Sequence, residues 1–215
     1  MRIATWNING LRARLELVKR WLIERQPDVV GFQELKTLTE EFPHDAFLEI
    51  GYHALVHGEK AWNGVAILTR APAELVQTGL PGETGFGSRL LTARIQDLEF
   101  TTVYCPNGKT LDHADYQRKL AWFESLTTHW QHLERSAAAV LCGDFNIVQP
   151  LWTVGRARRP TARSFTPWLS VNASAPSWVP DSPICSVTTH PTNRPIPGGI
   201  TAAVHSTNAR VCALI

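Results

Sequence analysis

Residues 137–148 read AAAVLCGDFNIV. Six apolar residues run without interruption into Gly143, and an acid and an amide, Asp144 and Asn146, follow at once. A run this short, bounded by a glycine, is the pattern of a strand buried on both faces. It predicts a sheet interior whose end delivers polar groups to a cleft. Working back along the chain, residues 113–134 carry helical amphipathic spacing. LEFTTVYCP, LLTARI, GVAILTR and YHALVHG read as strands separated by Gly and Pro turn signals. DVVGFQEL, after Pro27, is a second buried-strand pattern with polar residues at its end. Residues 11–25 place Leu15, Val18 and Leu22 at helical spacing, and RIATWNI opens the chain as a β-rich segment. Strands alternating with helices over one stretch of this length predict an α/β domain.

Working forward, the text changes after Pro150. The last 65 residues contain no Lys, no Glu and a single Asp, Asp181, against six Arg and eight of the 14 Pro. Pro160, Pro167, Pro176, Pro180 and Pro183 interrupt any helical period. The expected organisation is a domain portion over 1–148 and an irregular, poorly ordered tail, rich in Pro, Arg, Ser and Thr, over 149–215. Trp152, Trp168 and Trp178 are unusual in such a tail.

The whole chain has 215 residues, ample for one substantial core. Its net charge of +2 is too small to imply nucleic-acid binding by itself, so local patches would have to supply it. No apolar run reaches the length of a membrane span. MRIATWNING lacks the basic start and long apolar stretch of a signal peptide, and a cytoplasmic address is expected. The four cysteines show no zinc-type spacing and are too sparse for a disulfide framework. Cys142 reads as a small core residue.

Three strand ends carry oxygen-bearing groups: Asn7 in TWNING, Glu34 in GFQELK, and Asp144 with Asn146 in CGDFN. Singly, each is as well explained by a turn or a solvated surface. Together they offer the hard oxygen donors that suit Mg²⁺. They also offer a carboxylate able to orient or deprotonate a water, which a phosphodiesterase requires.

TWNINGLRAR, PDVVGFQELK, NGVAILTR and CGDFNIV resemble, in order, the successive motifs of exonuclease III and related apurinic/apyrimidinic endonucleases. These motifs cover nearly all of residues 1–148. The resemblance implies the four-layered α/β sandwich of the endonuclease/exonuclease/phosphatase type, with its N-terminal half present and its second sheet largely missing. It implies that Glu34 ligates Mg²⁺, or Mn²⁺ in its place, with Asn7 beside it. Asp144 would activate the attacking water, and Asn146 would bond the phosphate or orient Asp144. Tyr104, in TVYCPNG, would stabilise the transition state; without the resemblance it reads as a core aromatic. Asn9, Gly10, Arg12, Lys36, Asn63 and Arg89 would contact DNA, Arg and Lys by binding backbone phosphates. His57, His113, His129 and His132 match no catalytic position of the family.

The resemblance stops where the tail begins. The family's later motifs supply an Asp in a string like LRID and an Asp-His pair in a string like SDH. Here His190 and His205 have no acidic neighbour. Shifting the reading frame by one base, with free choice of degenerate third bases, turns VNASAPSWVPDSPICSV into RERFRALLGTGLTDLFR. The same shift turns residues 198–215 into a string ending in LRID. A frameshift near residue 149, leaving the family reading frame truncated after about residue 148, is therefore expected. A single-base change near that codon should restore a continuous frame.

The function implied is a Mg²⁺-dependent DNA-repair nuclease acting on double-stranded DNA with abasic sites or 3′ ends. It would be a monomer, away from membranes, crippled by loss of the later motifs. The alternatives are a catalytically inactive nucleic-acid-binding remnant, or a phosphatase or phosphodiesterase of the same superfamily acting on another substrate.

Overall fold

The computed structural model describes residues 1–83, 85–132, 138–146, 200–203 and 210–211. Strand β1 (Ile3–Asn7) leads through helix α1 (Leu15–Arg25) to β2 (Val29–Gln33). A 3₁₀ turn (Thr39–Glu41) and the short helix α2 (His44–Leu48) precede β3 (His53–His57), β4 (Val65–Thr69) and β5 (Glu74–Thr78). The hairpin β6 (Leu90–Ile95) and β7 (Leu98–Tyr104) is followed by α3 (Ala114–His132) and β8 (Ala138–Asp144). Two short strands, β9 (Ile200–Ala203) and β10 (Arg210–Val211), lie beyond.

Among the described residues the strands form two five-stranded sheets, ordered β3-β4-β2-β1-β9 and β10-β8-β7-β6-β5. Each sheet has a parallel pair at its centre, β1 with β2 and β7 with β8, and β10 adds a second parallel partner to β8. Each central pair is joined by a helix, as a parallel connection requires. Strand periodicity then sorts the side chains. Ile3, Val29, Val65 and Ile67 of the first sheet face Leu91, Ala93, Phe100 and Cys142 of the second, and this is the inter-sheet core. The alternate residues Ala4, Trp6, Val30, Phe32 and Leu68 pack on the outer side with Val18, Trp21 and Leu22 of α1. Leu90, Val103 and Leu141 pack with Trp122, Leu126 and Trp130 of α3. The result is the expected four-layered sandwich, helix–sheet–sheet–helix.

One part of the expectation is corrected. The second sheet is not largely missing, because β5–β8 all fall between residues 74 and 144. The cause is local. Ala71-Pro72-Ala73 follows β4, and Pro has no N–H with which to continue a ladder. The chain therefore leaves the first sheet there and starts the second, and α3 returns it to add β8 beside β7. The inner face of the first sheet consequently has its packing partner. The two sheets approach closely at Gly31, where a Cβ would come within 2.5 Å of Thr102 Oγ1. Beside it, buried Gln33 donates through Nε2 to Thr5 Oγ1 and to Thr102 Oγ1, each at 2.8 Å. Apart from β9 and β10, the region 149–215 lies outside the described residues. The expectations of an irregular tail and of an out-of-frame segment fall there.

Candidate active site

Asn7 and Tyr104 are the last residues of β1 and β7, Asp144 the last of β8, and Glu34 follows β2. These are the ends of the two central parallel pairs, and the carboxyl edge of parallel strands is where α/β sheets present their sites. The docking of the sheets brings all four residues to one mouth. The side-chain amide of Asn7 donates to both carboxylates, to Glu34 Oε1 at 2.8 Å and to Asp144 Oδ2 at 2.7 Å. Its own Oδ1 accepts the Asn9 backbone N–H at 3.0 Å, which fixes which end of the amide faces the acids. The second oxygen of Asp144 accepts the Asn146 backbone N–H at 2.9 Å.

The turns that carry these groups are held in unusual backbone. Asn9, Glu34, Lys36 and Asn146 all have positive φ, between 47° and 55°. Such left-handed backbone is uncommon for residues other than glycine and persists where its surroundings over-determine it. Backbone bonds do so here, from Gly10 N–H to Glu34 O at 2.7 Å and from Lys36 N–H to Asn63 O at 2.9 Å.

Burial of the Tyr104 hydroxyl raises its pKa well above the ordinary tyrosine value. The Glu34 charge and a hydrogen bond to Glu34 push the same way, and Arg89 only partly opposes them. Tyr104 therefore keeps its proton and serves as a hydrogen-bond donor. The Arg89 guanidinium lies 4.9 Å from the Tyr104 ring centre and donates to the Tyr104 carbonyl at 3.1 Å. Lys36 Nζ sits 3.1 Å from Glu34 Oε2 and 2.5 Å from Asn9 Oδ1.

Among the described residues no group of three His, Cys, Asp or Glu side chains is gathered as a metal cage. The donor set present is two converging carboxylates, Glu34 and Asp144, with polar neighbours. Hard oxygens few in number fit Mg²⁺, which keeps several of its waters. Asn7, expected beside Glu34 at the metal, turns its NH₂ toward the two carboxylates and orients them.

The residues expected on the DNA side divide. Asn9, Gly10 and Lys36 border the mouth. Arg12 is exposed and loosely paired with Glu41 at 3.9 Å. Asn63 is enclosed: only 7% exposed, it spends its Nδ2 on Glu59 Oε2 at 2.9 Å. That carboxylate also accepts the Ser88 backbone N–H at 2.7 Å, so the three form an internal tie. Arg89 is half-buried behind Tyr104 and not free at the surface. Sequence reasoning missed Asn107 and Lys119. Lys119 could have been found, because it interrupts the apolar stripe of α3 between Tyr116 and Trp122 at helical spacing. Glu34→Gln is expected to weaken Mn²⁺ binding about tenfold or more, read by calorimetry, with the melting temperature little changed.

Residues 4–202 match the profile of the Endonuclease/Exonuclease/phosphatase family. Over 154 residues the chain is 30% identical to exodeoxyribonuclease III of Haemophilus influenzae, covering 68% of this chain and 58% of that protein. It is 29% identical to the DNA repair nuclease APEX1 of Danio rerio, over 68% of this chain and 49% of that one. Among solved structures, an AP endonuclease from Archaeoglobus fulgidus superposes with a TM-score of 0.67 and 38% identity, covering 70% of this chain and 59% of that chain. The 3′ phosphatase NExo from Neisseria, bound to a product DNA hairpin, gives 0.66 and 36%, covering 68% and 58%. The chain thus spans about half to three-fifths of the length of these relatives.

Proposed function

The chain belongs to the endonuclease/exonuclease/phosphatase family, and from that premise we propose that it is by descent a divalent-metal-dependent DNA phosphodiesterase of the exodeoxyribonuclease III kind. Its substrate is duplex DNA, cut 5′ of abasic sites and trimmed at 3′ ends. It acts as a monomer in the cytoplasm. No helix among the described residues is long and apolar enough to cross a membrane.

The observation that carries this reading is the Asn7 amide held between the carboxylates of Glu34 and Asp144. It leaves Asp144 oriented and close to a second acid. Asp144 takes the proton of the water that attacks phosphorus, as a positioned general base does. Asn146 aims that carboxylate through its backbone N–H, and its side chain is already committed to Cys105 O at 2.7 Å. The Tyr104 hydroxyl donates to charge developing on a phosphoryl oxygen. Lys36 and Asn9 hold the phosphate at the rim. Mg²⁺ held by Glu34 and Asp144 would neutralise the phosphate and favour ionisation of water.

The test is single-turnover incision of an abasic-site duplex with the chain in excess, beside a lipid phosphate and an inositol phosphate. Slow incision of the DNA alone is expected, abolished by EDTA. Asp144→Asn is expected to slow it further by about tenfold, less than in an intact site because groups acting as a unit lose non-additively. Faster hydrolysis of either non-DNA substrate would overturn the assignment. Binding of duplex without any EDTA-sensitive cleavage would instead favour a binding remnant, which the lack of an Asp-His pair after Asp144 also suggests.

A further inference from the structure

Lys119 is only 4% exposed, in the middle of the core-facing stripe of α3. Lysine is almost never buried so deeply without a paired acid. Among the described residues no carboxylate lies within ion-pair distance of it. Its ammonium instead donates to two backbone carbonyls, to Asn146 O at 2.6 Å and to Asn107 O at 3.3 Å. Burial holds its pKa below the ordinary lysine value, while the more distant Asp144 charge opposes that shift. The two carbonyls belong to different loops. Asn107 follows β7, the strand ending in Tyr104. Asn146 follows β8, the strand ending in Asp144.

The loops also touch each other. Asn107 Nδ2 donates to Asn146 Oδ1 at 3.2 Å, and Asn146 Nδ2 donates to Cys105 O. A core built for stability alone would fill this place with an apolar side chain, since a desolvated charge is costly. A cation does something an apolar group cannot: it fixes where two carbonyl oxygens point.

We propose that Lys119 is a positioning residue of the active site, its buried ammonium clamping the carbonyls of Asn107 and Asn146 and so holding the Asn146 N–H against Asp144. The left-handed backbone at Asn146 is kept by that clamp. The proposal deepens the nuclease reading and rests on it for the importance of Asp144, yet its main readout needs no catalysis.

The full 215-residue chain is compared with K119M, which keeps the aliphatic stem, and K119R, which keeps the charge and the donors. K119M is expected to melt at or above the parent temperature. Its Asn146 amide is expected to exchange with solvent at least about tenfold faster, while amides of β1 and β7 keep their protection. Single-turnover incision should fall about tenfold, with the Kd for an abasic duplex moving less than about threefold, and K119R should recover most of both losses. Unchanged Asn146 exchange in K119M would overturn the proposal. So would failure of K119M to fold, or a lower melting temperature with exchange rising equally across the core, because either makes the residue a plain structural anchor. If the parent chain cuts no DNA, the nuclease reading fails while the exchange result still decides the role of Lys119.

Discussion

At matched Mg²⁺ and substrate, the 215-residue chain is expected to incise abasic-site DNA about 10²–10³-fold or more slowly than Haemophilus influenzae exodeoxyribonuclease III. The described site gathers two carboxylates, an orienting amide, a tyrosine donor and a lysine. It gathers no histidine and no third acid. The sequence offers only Asp181 after Asp144, and neither His190 nor His205 has an acidic neighbour. Loss of one preorganised contact to the reacting phosphate typically costs about 10²–10³ in rate. Losing several costs more, though not their product. Burst kinetics on a synthetic abasic duplex measure this directly. A rate within about tenfold of the Haemophilus enzyme would mean that the groups already gathered suffice.

The second large effect is structural. Gly143 immediately precedes Asp144 on β8 and has φ +144°. A Cβ there would lie 2.0 Å from Val103 O on β7, an overlap with backbone that no side-chain rotation relieves. Gly143→Ala must therefore push β8 away from β7 at the point where Tyr104 pairs with Asp144. Backbone strain of about 1–3 kcal/mol and overpacking of similar size combine to about 3 kcal/mol or more. That is a large share of a marginal total, and the melting midpoint should fall by about 10 °C. Circular dichroism melts report it. A midpoint within about 2 °C of the parent would show that β8 can shift without cost, and the rigid account of the site would be wrong.

The sequence made some of this legible. Apolar runs ending in polar residues marked β1, β2 and β8, and the strand-end rule alone brought Asn7, Glu34 and Asp144 under suspicion. The helix expected over 113–134 is α3, Ala114–His132, and Cys142 lies in the inter-sheet core as expected. The division of strands between sheets was not legible, because it depends on connections more than on the strands. Strand β5 was missed: it is an edge strand with Leu75 and Val76 largely exposed, so neither alternation nor an apolar run marks it. Helix α2 is only five residues long, too short to show a period. The burial of Asn63 and of Lys119 was not legible, for one reason. Polar residue types suggest surface, and only the packing of separate elements decides which are enclosed.

The bond from Asn7 to Asp144 joins residues 137 positions apart, one at the start of the first sheet and the other at the end of the second. A nascent chain therefore holds Asn7 and Glu34 apart from Asp144 until β8 has emerged from the ribosome and slotted in beside β7. For the same reason, anything that parts the two layers takes the cluster apart even where each layer stays whole.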